Sequence, residues 1–279
     1  MRMCACRGTS GFAHVSCLAE QAKILFAEAE ENNLGWDVKN PRFDRWCQCS
    51  LCEQEYHGVV RCALGWACWK TFVGRPETNW CRRAAMTQLG NGLSAAKNHV
   101  DAVSVDEAEL SMLRRIGAPE GAILGSQSNI AASYASLKRF EDAQRMMRDV
   151  YFGYVRLYGK EHRDTLRVAE NYALSLFRVE RFEEATSMLR RTIPVAQRVL
   201  GKGDAVTLKI RWSCACALWR DPAATLDDLR EAVATLEDVE RTARRLLGGP
   251  HPITKGTVSE LRNARAALRA GETPPPGSA

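Results

Sequence analysis

No stretch of this 279-residue chain is apolar enough, over enough residues, to cross a membrane. The most apolar run, Val59 to Val73, is short and is interrupted by Arg61 and Lys70. The opening Met1-Arg2-Met3-Cys4 lacks an apolar signal region, which argues against secretion. A soluble, cytoplasmic chain with no membrane partner is therefore expected. Excess charge of one sign is also scarce. Lys and Arg number 39 against 33 Asp and Glu, a net charge of +6. That excess is too diffuse to argue for nucleic acid, though it allows an acidic protein partner. No sustained heptad pattern is present, so coiled-coil pairing is excluded. Cysteine is rare after residue 81, where only Cys214 and Cys216 remain of eleven. This asymmetry marks a separate N-terminal module. In a chain without a secretory start, its thiols read as metal ligands or buried groups, not disulfides.

The hydrophobic content of 46% and charged content of 26% are those of a soluble globular protein with room for one or two domains. The most ordered feature is a 42-residue repeat between Ile123 and Leu208. Asn129-Ile130-Ala131 returns as Asn171-Tyr172-Ala173, and Arg139-Phe140-Glu141-Asp142-Ala143 as Arg181-Phe182-Glu183-Glu184-Ala185. Tyr158-Gly159-Lys160 returns as Leu200-Gly201-Lys202, and Thr165-Leu166 as Thr207-Leu208. Four features in one register make a repeat array, each unit being two amphipathic helices. Small Ala at the helix crossing permits close approach, and the neighbouring aromatic fills the space beside it.

This signature resembles tetratricopeptide repeats, in the longer form found in kinesin light chains. The resemblance implies a right-handed α-solenoid whose groove binds peptides and does no chemistry itself. Leu247-Gly248-Gly249-Pro250-His251-Pro252-Ile253-Thr254 reads as the inter-repeat linker once more. A degenerate unit is expected from Arg82, aligned through Ala108. A fourth unit has its turn altered by Asp221-Pro222, with a second helix from about Ala224 to Leu247. A closing helix is expected over Thr254 to Ala270, which covers the last apolar face. The tail from Gly271 to Ala279 is proline-rich and reads as disordered.

Before the repeats lie three short ligand pairs: Cys4 with Cys6, His14 with Cys17, and Cys49 with Cys52. Zinc takes four soft or borderline ligands in a tetrahedron, and such pairs supply two each from a tight turn. A zinc deaminase would need His-x-Glu and then Pro-Cys-x-x-Cys, and both halves fail here. A thioredoxin-like site would want alternating strands and helices around Cys49 and Cys52, and the flanks read as loop and helix. Order and spacing, with Arg7-Gly8 between the first two pairs, resemble the RING-CH (RING variant) zinc domain over roughly the first 55 residues. By that resemblance Cys4, Cys6, Cys49 and Cys52 close one zinc site, while His14 and Cys17 are half of a second. The family's first Cys-x-x-Cys pair has no counterpart, since only three residues precede Cys4. A missing start, substitution by Cys47, His57 or Cys62, and an empty second site all remain open, the missing start being favoured.

A helix is expected over residues 18–31, a polar loop over 32–40, and a second helix over about 56–72. Trp66, Trp69 and Phe72 form its core face, and Cys62 and Cys68 are buried thiols. The domain boundary is placed near residue 76 in Gly74-Arg75-Pro76-Glu77, giving a zinc module over 1–75, repeats over 82–270 and a tail over 271–279. For the groove, Asn129 and Asn171 fall at the family's peptide-facing asparagine, where an amide both donates and accepts. Ser94 and Ser213 take that place in the outer units. Arg167, Arg178, Lys209 and Arg220 share the face, with Phe177, Trp212 and Trp219 nearby, which suits an acidic peptide with a bulky apolar anchor. The expected function is that of a zinc-binding adaptor for a protein or peptide. The alternative is a RING-type ubiquitin ligase that engages a ubiquitin-conjugating enzyme and recruits its substrate through the repeats.

Overall fold

The computed structural model describes residues 14–51, 53, 55–249 and 251–272. The described residues form twelve α-helices, one short 3₁₀ turn and a single isolated β-bridge. They gather into two compact units, Met1–Arg139 and Phe140–Ala279.

The first unit holds α1 (Val15–Glu31), α2 (Trp36–Phe43), the 3₁₀ turn Asp44–Trp46, α3 (Gly58–Phe72), α4 (Trp80–Ala95), α5 (His99–Arg115) and α6 (Glu120–Ser136). Helix α1 buries Ala22, Phe26 and Ala29, whereas the spacing puts Leu18, Ala22, Leu25 and Ala29 on one face, and Leu18 and Leu25 are half-buried. The expected loop over residues 32–40 is instead largely α2, with Pro41 inside it. Tertiary burial overrides the local signal there. Phe43 is 3% exposed, and Trp36 packs edge-on to Trp80 at 4.8 Å. Phe26 centres the aromatic core, with edge contacts to Phe43, Phe72 and Trp80 at 5.4–5.7 Å. Trp69 and Phe72 pack inward, but Trp66 is exposed.

The compact units divide after Arg139 and not near residue 76. Helices α3 and α4 meet through glycine on both sides. A Cβ at Gly65 would stand 2.7 Å from the Gln88 carbonyl oxygen, and one at Gly92 would stand 2.9 Å from that of Arg61. The backbones therefore lie closer than any side chain allows. The linker is tied down as well: Arg75 donates to Glu30 at 2.7 Å, and Arg115 to Glu77 at 2.7 Å. Behind α4, α5 buries Asp106 and Glu109. Thr87 donates to Glu109, and Ser133 to Asp106. Burial pushes both carboxyls up to about 7, against the pull of those hydroxyls.

The second unit holds α7 (Phe140–Tyr158), α8 (Arg163–Arg178), α9 (Phe182–Leu200), α10 (Ala205–Arg220), α11 (Leu226–Leu247) and α12 (Pro252–Glu272). Each helix packs on the next, and α8, α10 and α12 also touch in succession. The repeated linker motif has a physical role. Gly201 takes φ +90° at the end of α9, a conformation that a side chain would strain, and Gly159 and Gly248 mark the same place. The start of the next helix is then capped by a side chain in each case. His162 Nδ1, Asp204 Oδ1 and His251 Nδ1 accept from the backbone N–H of Asp164, Val206 and Ile253. Buried Thr165 and Thr207 donate to the Tyr154 and Ala196 carbonyls of the preceding helix, and Thr254 to that of Gly248. The altered fourth turn uses a capping box between Thr225 and Asp228. Helix α12 runs two residues beyond the expected end, so Gly271 and Glu272 are helical. It carries Gly256 flush against the Trp212 ring, where a Cβ would stand 2.7 Å from the indole.

The turn inside each pair is also repeated. Lys97, Lys138 and Glu180 take φ of +59° to +67°, uncommon for residues with a side chain. Counting five residues onward gives Ala102, Ala143 and Ala185, all essentially buried. The first unit of the array therefore aligns through Ala102. Ala108, the sequence-based choice, is exposed.

Candidate peptide-binding face

Nine residues before each turn stand Asn129 on α6 and Asn171 on α8, and the same count places Gln88 on α4. Gln88 thus replaces Ser94 at the asparagine position, a shift that follows from realignment on Ala102. Both asparagines are half-buried, and neither side chain has a hydrogen-bond partner among the described residues. Partly desolvated amides with free donors and acceptors can clamp a peptide backbone. Gln88 Oε1 is buried with no partner among the described residues.

In the second unit, Arg167, Asn171 and Arg178 line one face of α8, and Lys209 and Arg220 lie on α10. Arg178 and Lys209 are exposed and carry no ion pair among the described residues. Arg167 lies 3.6 Å from Asp164. Arg220 is committed: it donates to both carboxylate oxygens of Glu260 at 2.6 and 2.7 Å, and its guanidinium covers Phe177 and Trp219. It ties α10 to α12.

Ser213, at the asparagine position of α10, donates to buried Glu170 at 2.9 Å. Burial raises the Glu170 carboxyl, while Ser213, Lys209 and Arg167 oppose the rise. Three of the four cations therefore face carboxylates of this same unit, and Arg178 remains the unpaired one on α8. Trp212 is a core residue, packed with Leu208, Val239 and Ile253.

Sequence reasoning missed two clefts in this unit. One, of about 650 Å³, lies among α7, α8 and α9 and is lined by Tyr151, Phe152, Tyr172, Met188 and Arg191. Tyr151 stacks on Tyr172 at 5.6 Å. The available signal was the Tyr151-Phe152 pair, whose 42-residue counterparts are Ile193 and Pro194. The other cleft, of about 870 Å³, lies between α11 and α12.

Of the expected metal ligands, Cys4, Cys6 and Cys52 lie outside the described residues. Among the described residues no three donor groups converge on a metal-sized site. His14 precedes α1 and is exposed, as is Cys17 on its first turn, while Cys49 is 7% exposed. Cys49 packs with Tyr56, Val60 and Leu64, against which Val15, Leu18 and Ala19 of α1 rest. Cys68 is fully buried and Cys62 half-buried, and desolvation raises both thiols.

Residues 122–198 match the tetratricopeptide repeat family. No curated protein matches the chain at a significant level. Among solved structures, the chain is similar to a variant of a Podosopora anserina kinesin light chain-type protein with nearly identical TPR-like repeats. Identity is 16% and the TM-score 0.53, covering 84% of this chain and 98% of that one. It is also similar to BtubC (BKLC) from P. vanneervenii, at 13% identity and a TM-score of 0.50, over 96% and 97% of the two chains. The apo form of RapI gives 12% and 0.50, over 92% and 99%. At these identities the likeness is one of fold. The chain is thus mainly helical, a run of repeated helices with a tetratricopeptide-like fold, and residues 122–198 carry the family match.

Proposed function

We propose that this chain is a protein-interaction adaptor that holds a peptide or protein partner on the first helices of its repeats. The observation that carries this reading is Asn171, which shares one face of α8 with Arg167 and Arg178, is half-buried, and leaves its amide unpartnered among the described residues. Asn129 holds the equivalent register in the first unit. A partner with one or two carboxylates is favoured over a highly acidic one, because Glu170, Glu260 and Asp164 already face most of the cations. Fluorescence anisotropy with a peptide carrying one bulky apolar residue and one carboxylate tests this. Asn171→Ala is expected to weaken binding by about 1 kcal/mol, roughly fivefold. Unchanged affinity in this variant overturns the reading.

A second reading concerns the segment before α3. Two backbone contacts join the described residues on either side: Tyr56 N–H donates to the Cys47 carbonyl at 2.9 Å, and Gln48 bridges Glu55. Glu53 N–H donates to the Cys49 carbonyl at 3.0 Å, with Glu53 at φ +55°. A Cys-x-x-Cys pair supplies two metal ligands from a short stretch of chain, and the sequence has that spacing at Cys49 and Cys52. We infer that Cys49 and Cys52, with Cys4 and Cys6, hold one Zn²⁺ as a structural tie, and that His14 and Cys17 are half of a second site. Elemental analysis of the chain purified without added metal is expected to give one zinc per chain. None overturns the zinc reading. Two would fill the second site and direct the next assay to autoubiquitination with a ubiquitin-conjugating enzyme, the ligase alternative.

A further inference from the structure

The α7–α8–α9 cleft and the α11–α12 cleft are the same place in different units. Aligned on Gly159 and Gly248, Tyr151, Phe152 and Val155 of α7 become Glu240, Arg241 and Arg244 of α11. Aligned on Thr165 and Thr254, Ala169, Tyr172 and Leu176 of α8 become Val258, Leu261 and Arg265 of α12. In the earlier unit this cradle receives α9. In the later one no described helix lies in it.

The residue changes state what the later cradle accepts. Arg262 stands where α8 and α10 carry Ala173 and Ala215, and Arg265 where they carry Leu176 and Leu218. All four counterparts are buried, and both arginines are exposed. Six arginines line the cleft against two glutamates. Three of the arginines are already engaged: Arg265 with Glu237, Arg244 with Glu240, and Arg241 with Asp238. Arg245 and Arg262 have no acidic partner among the described residues. Val258 and Leu261 keep an apolar floor between them.

We propose that the α11–α12 cleft docks an acidic helix of a partner protein, laid where α9 lies in the earlier unit. An apolar ridge of that helix rests on Val258 and Leu261, and its carboxylates meet Arg245 and Arg262. Guanidinium forks match carboxylates in paired hydrogen bonds, so the arginines select for charge, and the floor selects for a side chain that bare phosphate lacks. This surface is distinct from the asparagine face, and its failure would leave that reading intact.

The test uses the full chain and a labelled helical peptide of about 20 residues, with leucine at helical spacing on one side and glutamate on the other. Saturable binding is expected, weakened about tenfold or more by Arg245→Glu with Arg262→Glu and weakened by raising salt to about 0.3 M. Arg114→Glu, an exposed change on α5, should leave it unaltered. Circular dichroism checks that the double variant folds, and Arg245→Gln with Arg262→Gln replaces it if not. Affinity that is indifferent to both double variants overturns the proposal. So does equal competition by phosphatidylserine vesicles or a single-stranded oligonucleotide, which would make the cleft a general anion site.

Discussion

In the first unit Phe26 touches three aromatic rings, and Trp46 and Phe72 are sealed beside it. In the second unit no described aromatic ring is sealed to that degree, and the sealed positions are shared between alanines at Ala185, Ala196, Ala215, Ala232 and Ala243 and aliphatic side chains such as Leu189, Leu208, Ile210 and Leu236. The same helix-pair plan is therefore held in two ways. Bulky rings can fill an irregular space, at the cost of a pattern that never recurs. Small residues require helices to repeat their crossing, so caps, threonine ties and turns recur with them. Regularity in this chain belongs to the backbone joints.

The sharpest way to break this comparison is to remove a ring. Phe26→Ala is expected to destabilise the first unit by about 3–5 kcal/mol and to leave the second unit's amide protection unchanged. Hydrogen exchange read helix by helix checks this, and a common loss in both units would show that they unfold as one.

A change of pH probes the buried acids of the first unit next. Asp106 and Glu109 titrate near 7 when folded, whereas an unfolded chain releases those protons near 4. Their contribution is thus complete below about pH 4 and is lost as pH rises toward 7, by several kcal/mol for the pair. Asp106→Asn with Glu109→Gln should flatten that slope in denaturant titrations between pH 5 and 8. In the second unit Asp228 and Asp238 are held below the usual carboxylate range, the first by Thr225 and the second by Arg241 and Arg211. Their contribution runs the other way and is lost only as pH falls through that lowered range.

Smaller effects sharpen the account of the second unit. Ala185→Leu should cost about 1–3 kcal/mol through overpacking at the crossing, seen as a lower midpoint in urea. Thr207→Val, which keeps the shape but loses the hydroxyl bond to Ala196, should cost about 0.5–1.5 kcal/mol in the same measurement.

The parts of the fold that could be read in the sequence are those that recur. Thr165 and Thr207, Gly159 and Gly201, and Ala143 and Ala185 announced the helix pairs because each performs one backbone task twice. Residues 32–40 misled, because α2 exists through the burial of Phe43 and the contact of Trp36 with Trp80, neither of which leaves a local trace. The first unit was misaligned because Ala108 sits in a plausible pattern, and the turn at Lys97 shows its register only through its dihedral angle. On the candidate face, the position of Asn171 followed from the repeat. The engagement of Arg220 by Glu260 did not, since forty residues separate them and no periodic signal links the two. The reading of Cys49 as a metal ligand rests on motif spacing alone.

Five of the seven tryptophans precede residue 81, while Trp212 sits at the joint between α10 and α12, its ring against the bare backbone of Gly256. Indole emission responds to what touches the ring, so undocking of the closing helix from this joint would change its colour. The chain thus carries an intrinsic fluorophore at the seam where its last helix closes.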